Sequence, residues 1–249
     1  MRWANRWREG PRVSGAPPSP NGASSFHLWW LLPDGGPFSE VSAVLEVVTP
    51  PAVTRLYFWA LQVSFVDAGR DLGAGHTGLQ WHPGAPQGAV NWGGYSNAGG
   101  ELQGTSSQLA PVDGPNTCHY PWSAGRPYRF RVSAAGPGAW RSEVTDLAAG
   151  TTTAVRDLLV PASGLTGPVV WSEVFARCDD PATEVRWSEL QAVDMSGRSL
   201  RASSVRLTYQ SHPDGGCANT ETRAGPGYFA QLTGLGAPRA PAPEVISLP

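Results

Sequence analysis

Apolar and polar residues alternate with a period of two through almost the whole chain, and Gly and Pro break the alternation at near-even intervals. That period places successive side chains on opposite faces, which makes strands with one buried face. The strand-like stretches run over 26–32, 41–48, 55–66, 77–81, 89–92, 128–133, 140–147, 154–160, 169–177, 184–193, 205–210 and 228–232. Between them lie turn clusters such as Pro33-Asp34-Gly35-Gly36, Pro50-Pro51 and Gly99-Gly100, where Pro fixes φ and Gly permits a positive one. With 30 Gly and 24 Pro in 249 residues, turns of this kind recur along the whole chain. No segment of helical length carries a 3.6-residue period, and 108–113 and 163–165 are expected to hold a single helical turn at most. Many short strands joined by Gly/Pro turns predict an all-β fold, an antiparallel β-sandwich or jelly roll. The expected organisation is a flexible N-terminal segment (1–23), one β-sandwich domain (24–235) and a loose Pro/Ala-rich C-terminal tail (236–249).

Two strands are distinctive. The run Tyr57-Phe58-Trp59-Ala60-Leu61 is apolar on both faces, so 55–66 is expected to be a central strand covered on both sides. In 128–133, Tyr128, Phe130 and Val132 alternate with Arg129, Arg131 and Ser133, the pattern of a strand with one wet face.

Charge and composition exclude several functions. The formal net charge is −2 and no basic stripe is present, which argues against nucleic acid and anionic membranes as partners. The chain has no lysine, so Schiff-base, P-loop and protein-kinase lysine chemistry are excluded. The expected partner is a small-molecule or glycan ligand. Arg2, Arg6 and Arg8 resemble the start of a signal peptide, but no continuous apolar run follows them. The default expectation is therefore a cytoplasmic protein, reversed to a secreted one if a start lies upstream. Cys118, Cys178 and Cys217 form no CxxC pair, and Cys178 and Cys217 each sit beside a turn. A disulfide between those two and a set of three buried thiols are both compatible with this spacing.

The tripeptide Trp-Ser-Glu occurs twice, as Trp171-Ser172-Glu173 and Trp187-Ser188-Glu189, with Asp179-Asp180-Pro181 between them. In each strand, Trp and Glu share a face. A hairpin centred on Asp180 would set Glu173 opposite Trp187 and Trp171 opposite Glu189, with Cβ atoms about 4.5–5.5 Å apart. Two carboxyls against two indoles suit a sugar site, so Glu173 and Glu189 are the candidate catalytic residues and Trp171 and Trp187 candidate ligand contacts. A slip of one residue would separate the two glutamates onto opposite faces.

A second cluster lies upstream. His76, Gly78, Gln80 and His82 share one face, and Asn91, Trp92 and Tyr95 follow in a Gly-containing stretch that allows close backbone approach. Gln80, His82, Asn91, Trp92 and Tyr95 are candidate ligand contacts, because a ring with side-chain amides matches the donors and acceptors of a neutral polyol. His76 and His82 are too far apart along an extended strand to share an ion. No cofactor is expected, although Asp179, Asp180 and Asp214 sit in turns that leave a structural calcium site open. Gly-x-Ser-x-Gly and Gly-x-Gly-x-x-Gly motifs are both absent.

The stretches GLQWHP (78–83), NWGGY (91–95), VVWSEVFARCDDP (169–181) and GGCANT (215–220) resemble those of an uncharacterised bacterial family of all-β, concanavalin-like (jelly-roll) domains. The resemblance spans about 26–233 and implies a fold shared by lectins, glycan-binding modules, glucanases and polysaccharide lyases. The Glu-x-Asp-x-x-Glu strand motif common in the glucanases is missing here. The functional expectation is carbohydrate or other polyhydroxylated-ligand binding on an aromatic-lined sheet face. The alternatives are a glycan-active enzyme using Glu173 and Glu189, a natural-product enzyme with a Trp-lined apolar pocket, and a pairing domain without a ligand.

Overall fold

The structure, a computed structural model, describes residues 11–241 and 243–249. The described residues form strands and no helix: β1 (Ser24–Trp30), β2 (Phe38–Thr49), β3 (Tyr57–Asp67), β4 (Arg70–His82), β5 (Ala85–Ser96), β6 (Thr117–His119), β7 (Pro127–Gly136), β8 (Ala139–Asp146), β9 (Thr151–Leu159), β10 (Gly164–Val174), β11 (Thr183–Asp194), β12 (Ser199–Arg201), β13 (Ser204–Tyr209), β14 (Glu221–Gly225), β15 (Tyr228–Thr233) and β16 (Val245–Ser247). All named pairings are antiparallel, and the predicted all-β sandwich is the fold observed. One layer runs β16-β13-β1-β10-β3-β4-β5-β6, and the other runs β9-β8-β7-β2-β11-β15-β14 with β12 on β11. The layers are joined where Leu165 of β10 pairs Phe38 of β2.

The core lies between the layers. Leu28, Trp59, Leu61, Phe65 and Trp92 enter it from the first, and Val41, Leu45, Phe130, Trp187 and Phe229 from the second. Each such side chain contributes about 1.5–3 kcal/mol by leaving water, before the opposing entropy of ordering. The expected central strand is β3, flanked by β10 and β4. Its Tyr57, Trp59, Leu61 and Val63 fill the core, whereas Phe58 and Ala60 are buried on the opposite side, beneath Trp171 and Trp29. On β7, Tyr128, Phe130 and Val132 are buried, and Arg131 pairs with Glu40 and Glu143 at the surface. Close backbone approach in the NWGGY stretch is real: a Cβ on Gly94 would lie 2.0 Å from the Ala74 carbonyl oxygen.

Several local expectations change. Residues 163–165 lead into β10, and 108–113 contain no helical turn. The Arg2, Arg6 and Arg8 cluster lies outside the described residues. The rest of the segment expected to be flexible is tied down: Cys178 N donates to Gly15 O (2.8 Å), Ala218 N to Arg12 O (2.6 Å) and Gly15 N to Asp179 Oδ1 (3.1 Å). The segment expected to be a loose tail supplies β16, which pairs with β13. The described segments 11–23 and 243–249 therefore both bond to backbone groups of the sandwich. A disulfide joins Cys178 to Cys217, across 39 positions, and Cys118 is a free buried thiol.

The hairpin expected between the two Trp-Ser-Glu strands does not form. Both edges of β10 are occupied, by β1 and β3, and β11 lies between β2 and β15 in the other layer. The connection around Asp180 crosses from one layer to the other. The two tripeptides also have opposite phase. Ser172 points into the core and Trp171 out of it, while Trp187 is fully buried in the core. Ser172 Oγ (2.9 Å) and Trp187 Nε1 (3.0 Å) both donate to Gln231 Oε1, and Gln231 Nε2 donates to the Phe26 carbonyl (3.0 Å). The repeat is thus partly a buried polar clasp between the layers, with every partner satisfied, as buried polar groups require.

Candidate functional site

Glu189 illustrates how local backbone redirects a side chain. Two residues after the core-facing Trp187, a regular strand would turn it inward. Instead β11 carries an irregularity between Ser188 and Gln191, and Glu189 takes a left-handed φ of 49°. The carboxylate emerges at the surface and pairs with Arg129. It is therefore on a different layer from Glu173, and the expected carboxylate pair is not assembled. With both partners exposed, the ion pair contributes between zero and about 1 kcal/mol. Glu189→Gln is expected to shift stability by less than about 1 kcal/mol in a urea titration. A larger loss would assign Glu189 a role beyond a surface ion pair.

The outer face of the first layer is where chemistry converges. Strand register lays its side chains out in rows. Ser25, Glu173, Phe58 and Gln80 form one row across β1, β10, β3 and β4. His27, Trp171, Ala60, Gly78 and Asn91 form the next, continuing onto β5. Val169, Gln62 and His76 form a third, and Tyr95 lies beyond on β5. Small residues at Ala60 and Gly78 lower the middle row. The result is a cleft of about 570 Å³ whose walls include Asn21, His27, Phe58, Gln62, His76, Gln80, Asn91, Tyr95, Trp171 and Glu173.

The aromatic groups brace one another. Trp171 packs edge-on against Phe58 (5.0 Å between ring centroids) and His76 (5.8 Å), and is tilted against His27 (6.2 Å). Its Nε1 donates to Gln62 Oε1 at 3.2 Å, which fixes the orientation of that amide. Desolvation holds the His27 and His76 imidazoles down to about pKa 4, so both are neutral through the physiological range. Glu173 is pushed the other way. Burial raises its carboxyl above the ordinary range, and the hydrogen bond donated by Asn21 Nδ2 (3.0 Å) opposes that rise only in part. Among the described residues, no Arg lines this cleft and Glu173 is its single carboxyl.

Of the residues singled out from sequence, Glu173, Trp171, Gln80, Asn91 and Tyr95 meet here. The others are elsewhere. Trp187 and Trp92 are core residues, the latter donating Nε1 to the Trp140 carbonyl at 3.1 Å. His82 lies beyond the register shift at the end of β4, where it pairs with Asp113 (3.1 Å) and accepts from Gly84 N (3.0 Å). The turn aspartates have protein partners: Asp179 binds Arg177, Asp180 binds Arg55, and Asp214 accepts from Ser211. Among the described residues, no group of three His, Cys, Asp or Glu is placed to hold a metal. Gln62 and His27 also line the cleft, each on the outward phase of its strand, and Phe58, part of the run apolar on both faces, joins them. Asn21 carries no local signal, since it reaches Glu173 from 152 positions away.

No protein-family model matches this chain, and no curated protein matches it in sequence. Among solved structures, the fold is similar to that of Scytalido-glutamic peptidase bound to a peptide-based transition-state analogue, at 12% identity and a TM-score of 0.47, covering 84% of this chain and 97% of that one. SCP-B, a member of the eqolisin family of peptidases in complex with the tripeptide Ala-Ile-His, is similar at 12% identity and a TM-score of 0.46, again over 84% and 97%. Peanut lectin with a nine-residue peptide is similar at 12% identity and a TM-score of 0.26, over 90% of this chain and 76% of the lectin. These are similarities of all-β architecture alone.

Proposed function

We propose that the cleft is the substrate site of a hydrolase in which Glu173 is the acid–base group, acting on the amide bonds of an extended peptide. The observation that carries this reading is a desolvated carboxyl that, among the described residues, stands alone in an open cleft lined by no Arg. A carboxyl kept there without a cationic partner costs stability, and perturbed groups of this kind concentrate at catalytic sites. Among the described residues, the two-carboxylate mechanism of glycosidases has no second acid in this cleft, because Glu189 is on the other layer. Amide hydrolysis needs only one such group. Glu173 takes a proton from water as the water oxygen bonds to the scissile carbonyl carbon. It returns that proton to the leaving nitrogen as the C–N bond breaks. Gln62, its oxygen engaged by Trp171, has its NH₂ available as a donor to substrate carbonyls. The Cys178–Cys217 disulfide supports action in an oxidising compartment.

A second reading is glycan binding at the same cleft, favoured by the exposed Tyr95 ring beside the Asn91 and Gln80 amides. A mixture of fluorogenic peptides, assayed from pH 3 to 8, separates the two when run beside a glycan array. Cleavage is expected, with a rate that rises as pH passes through the raised Glu173 pKa, since the base must be ionised. No cleavage of any peptide together with saturable glycan binding would replace the hydrolase reading with the second.

A further inference from the structure

The cleft contains two buried hydrogen-bond acceptors without partners. Gln80 is 5% exposed and Asn91 is 6% exposed, both line the cleft, and Gln80 Oε1 and Asn91 Oδ1 accept no hydrogen bond. Asn91 is held by Thr117: its Nδ2 donates to the Thr117 hydroxyl at 3.0 Å, which directs Oδ1 away from β6. Gly78 lies opposite Asn91 across the β4–β5 ladder, and Gln80 opposite Ala89. Gln80 and Asn91 are therefore diagonal neighbours on one face, within about 7–8 Å. Glu173 lies on Gln80's own row, two strands away, or about 9–10 Å.

An unmade hydrogen bond at a buried acceptor costs about 1–3 kcal/mol. A bound donor would recover that cost at both oxygens. The charge of the cleft narrows the choice of donor. His27 and His76 are neutral above about pH 4, no Arg lines the walls among the described residues, and Glu173 supplies a negative charge once it is ionised. A hydroxyl carries one O–H and would satisfy only one of the two acceptors. A primary ammonium carries three N–H donors, no acceptor and the complementary charge. We propose that Gln80 and Asn91 form a subsite for a primary ammonium group of the ligand. This rests on the cleft being the substrate site, and it identifies the substrate by a cationic amine near the bond that Glu173 acts on.

The test is isothermal titration calorimetry of the full chain at pH 7 with four probes: Nα-acetyl-lysine amide, N-acetyl-norleucine amide, which has the same carbon chain without the ammonium, glucosamine and glucose. The lysine derivative is expected to bind at least about tenfold more tightly than norleucine. Gln80→Leu is expected to remove most of that preference. Gln80→Glu, which retains the polar character of the site and adds a charge, is expected to increase it, so the inference stays testable if the Leu variant fails to fold. A preference for glucosamine over glucose without one for lysine would keep the ammonium subsite and assign it to an amino sugar. Equal binding within both pairs, or a lysine preference that Gln80→Leu and Gln80→Glu both leave unchanged, overturns the proposal. Lysine peptides that bind without being cleaved would overturn the hydrolase reading alone. Peptides cleaved regardless of lysine would overturn the ammonium subsite alone.

Discussion

Glu173→Gln is expected to lower peptide turnover by about 10²–10⁴-fold, the usual contribution of a positioned acid–base group. Binding should persist, because Gln keeps the shape and can still accept the Asn21 hydrogen bond. The same substitution is expected to stabilise the fold at neutral pH. The folded-state pKa of Glu173 lies above its unfolded value, so its contribution to stability is fully present below the unfolded pKa and is lost as pH rises through the folded one. Above the folded-state pKa the wild type therefore carries a desolvated charge that the Gln variant lacks. The two proteins should converge in stability at about pH 4 and below, near the reference range for carboxyls. Urea unfolding at pH 7 and pH 4, beside peptidase assays, measures both effects. Turnover that survives the substitution would remove Glu173 from the chemistry. A variant less stable than wild type at pH 7 would show that the carboxylate is a structural group.

Removing the Cys178–Cys217 cross-link, as the Cys178→Ser/Cys217→Ser double variant, is expected to cost about 4 kcal/mol. That is the chain-entropy value for a closed loop of about 40 residues. The bond also anchors what surrounds it. Cys178 N donates to Gly15 O, and Cys217 N donates to Ser24 Oγ at 2.9 Å, so residues 11–23 and the start of β1 both depend on this corner. Asn21 lies in that segment and reaches Glu173. The double variant should therefore lose the restraint on Glu173 as well as global stability. Denaturant unfolding would show a lower midpoint and a larger m-value, as the unfolded chain expands without its cross-link. A loss below about 1 kcal/mol would mean that the reduced chain retains structure around this loop.

The alternation along the chain was enough to read most strands and their inward faces, because period two is a property of local backbone geometry. Tyr57 to Leu61, apolar on both phases, was legible as a central strand for the same reason. The faces of His76, Gln80 and Asn91 were legible too, and with Glu173, Trp171 and Tyr95 they form much of the cleft. The disulfide was one of two readings that the cysteine positions allowed.

What local pattern could not decide was pairing. Trp171-Ser172-Glu173 and Trp187-Ser188-Glu189 are identical as tripeptides, yet Trp171 and Glu173 face the cleft, whereas Trp187 is buried in the core and Glu189 emerges at the surface. Their difference comes from neighbours distant in sequence: β1 and β3 occupy both edges of β10, and Gln231 draws Trp187 inward. The left-handed residue that carries Glu189 out to Arg129 is likewise set by an irregularity in the ladder with β2. Strand phase is determined within a few residues by the pleat, and the amino-acid sequence by itself determined it here. Register, layer and partner are decided by hydrogen bonds and burial between segments far apart in the chain. Only the tertiary structure therefore decided that Glu173, and not Glu189, lines this cleft.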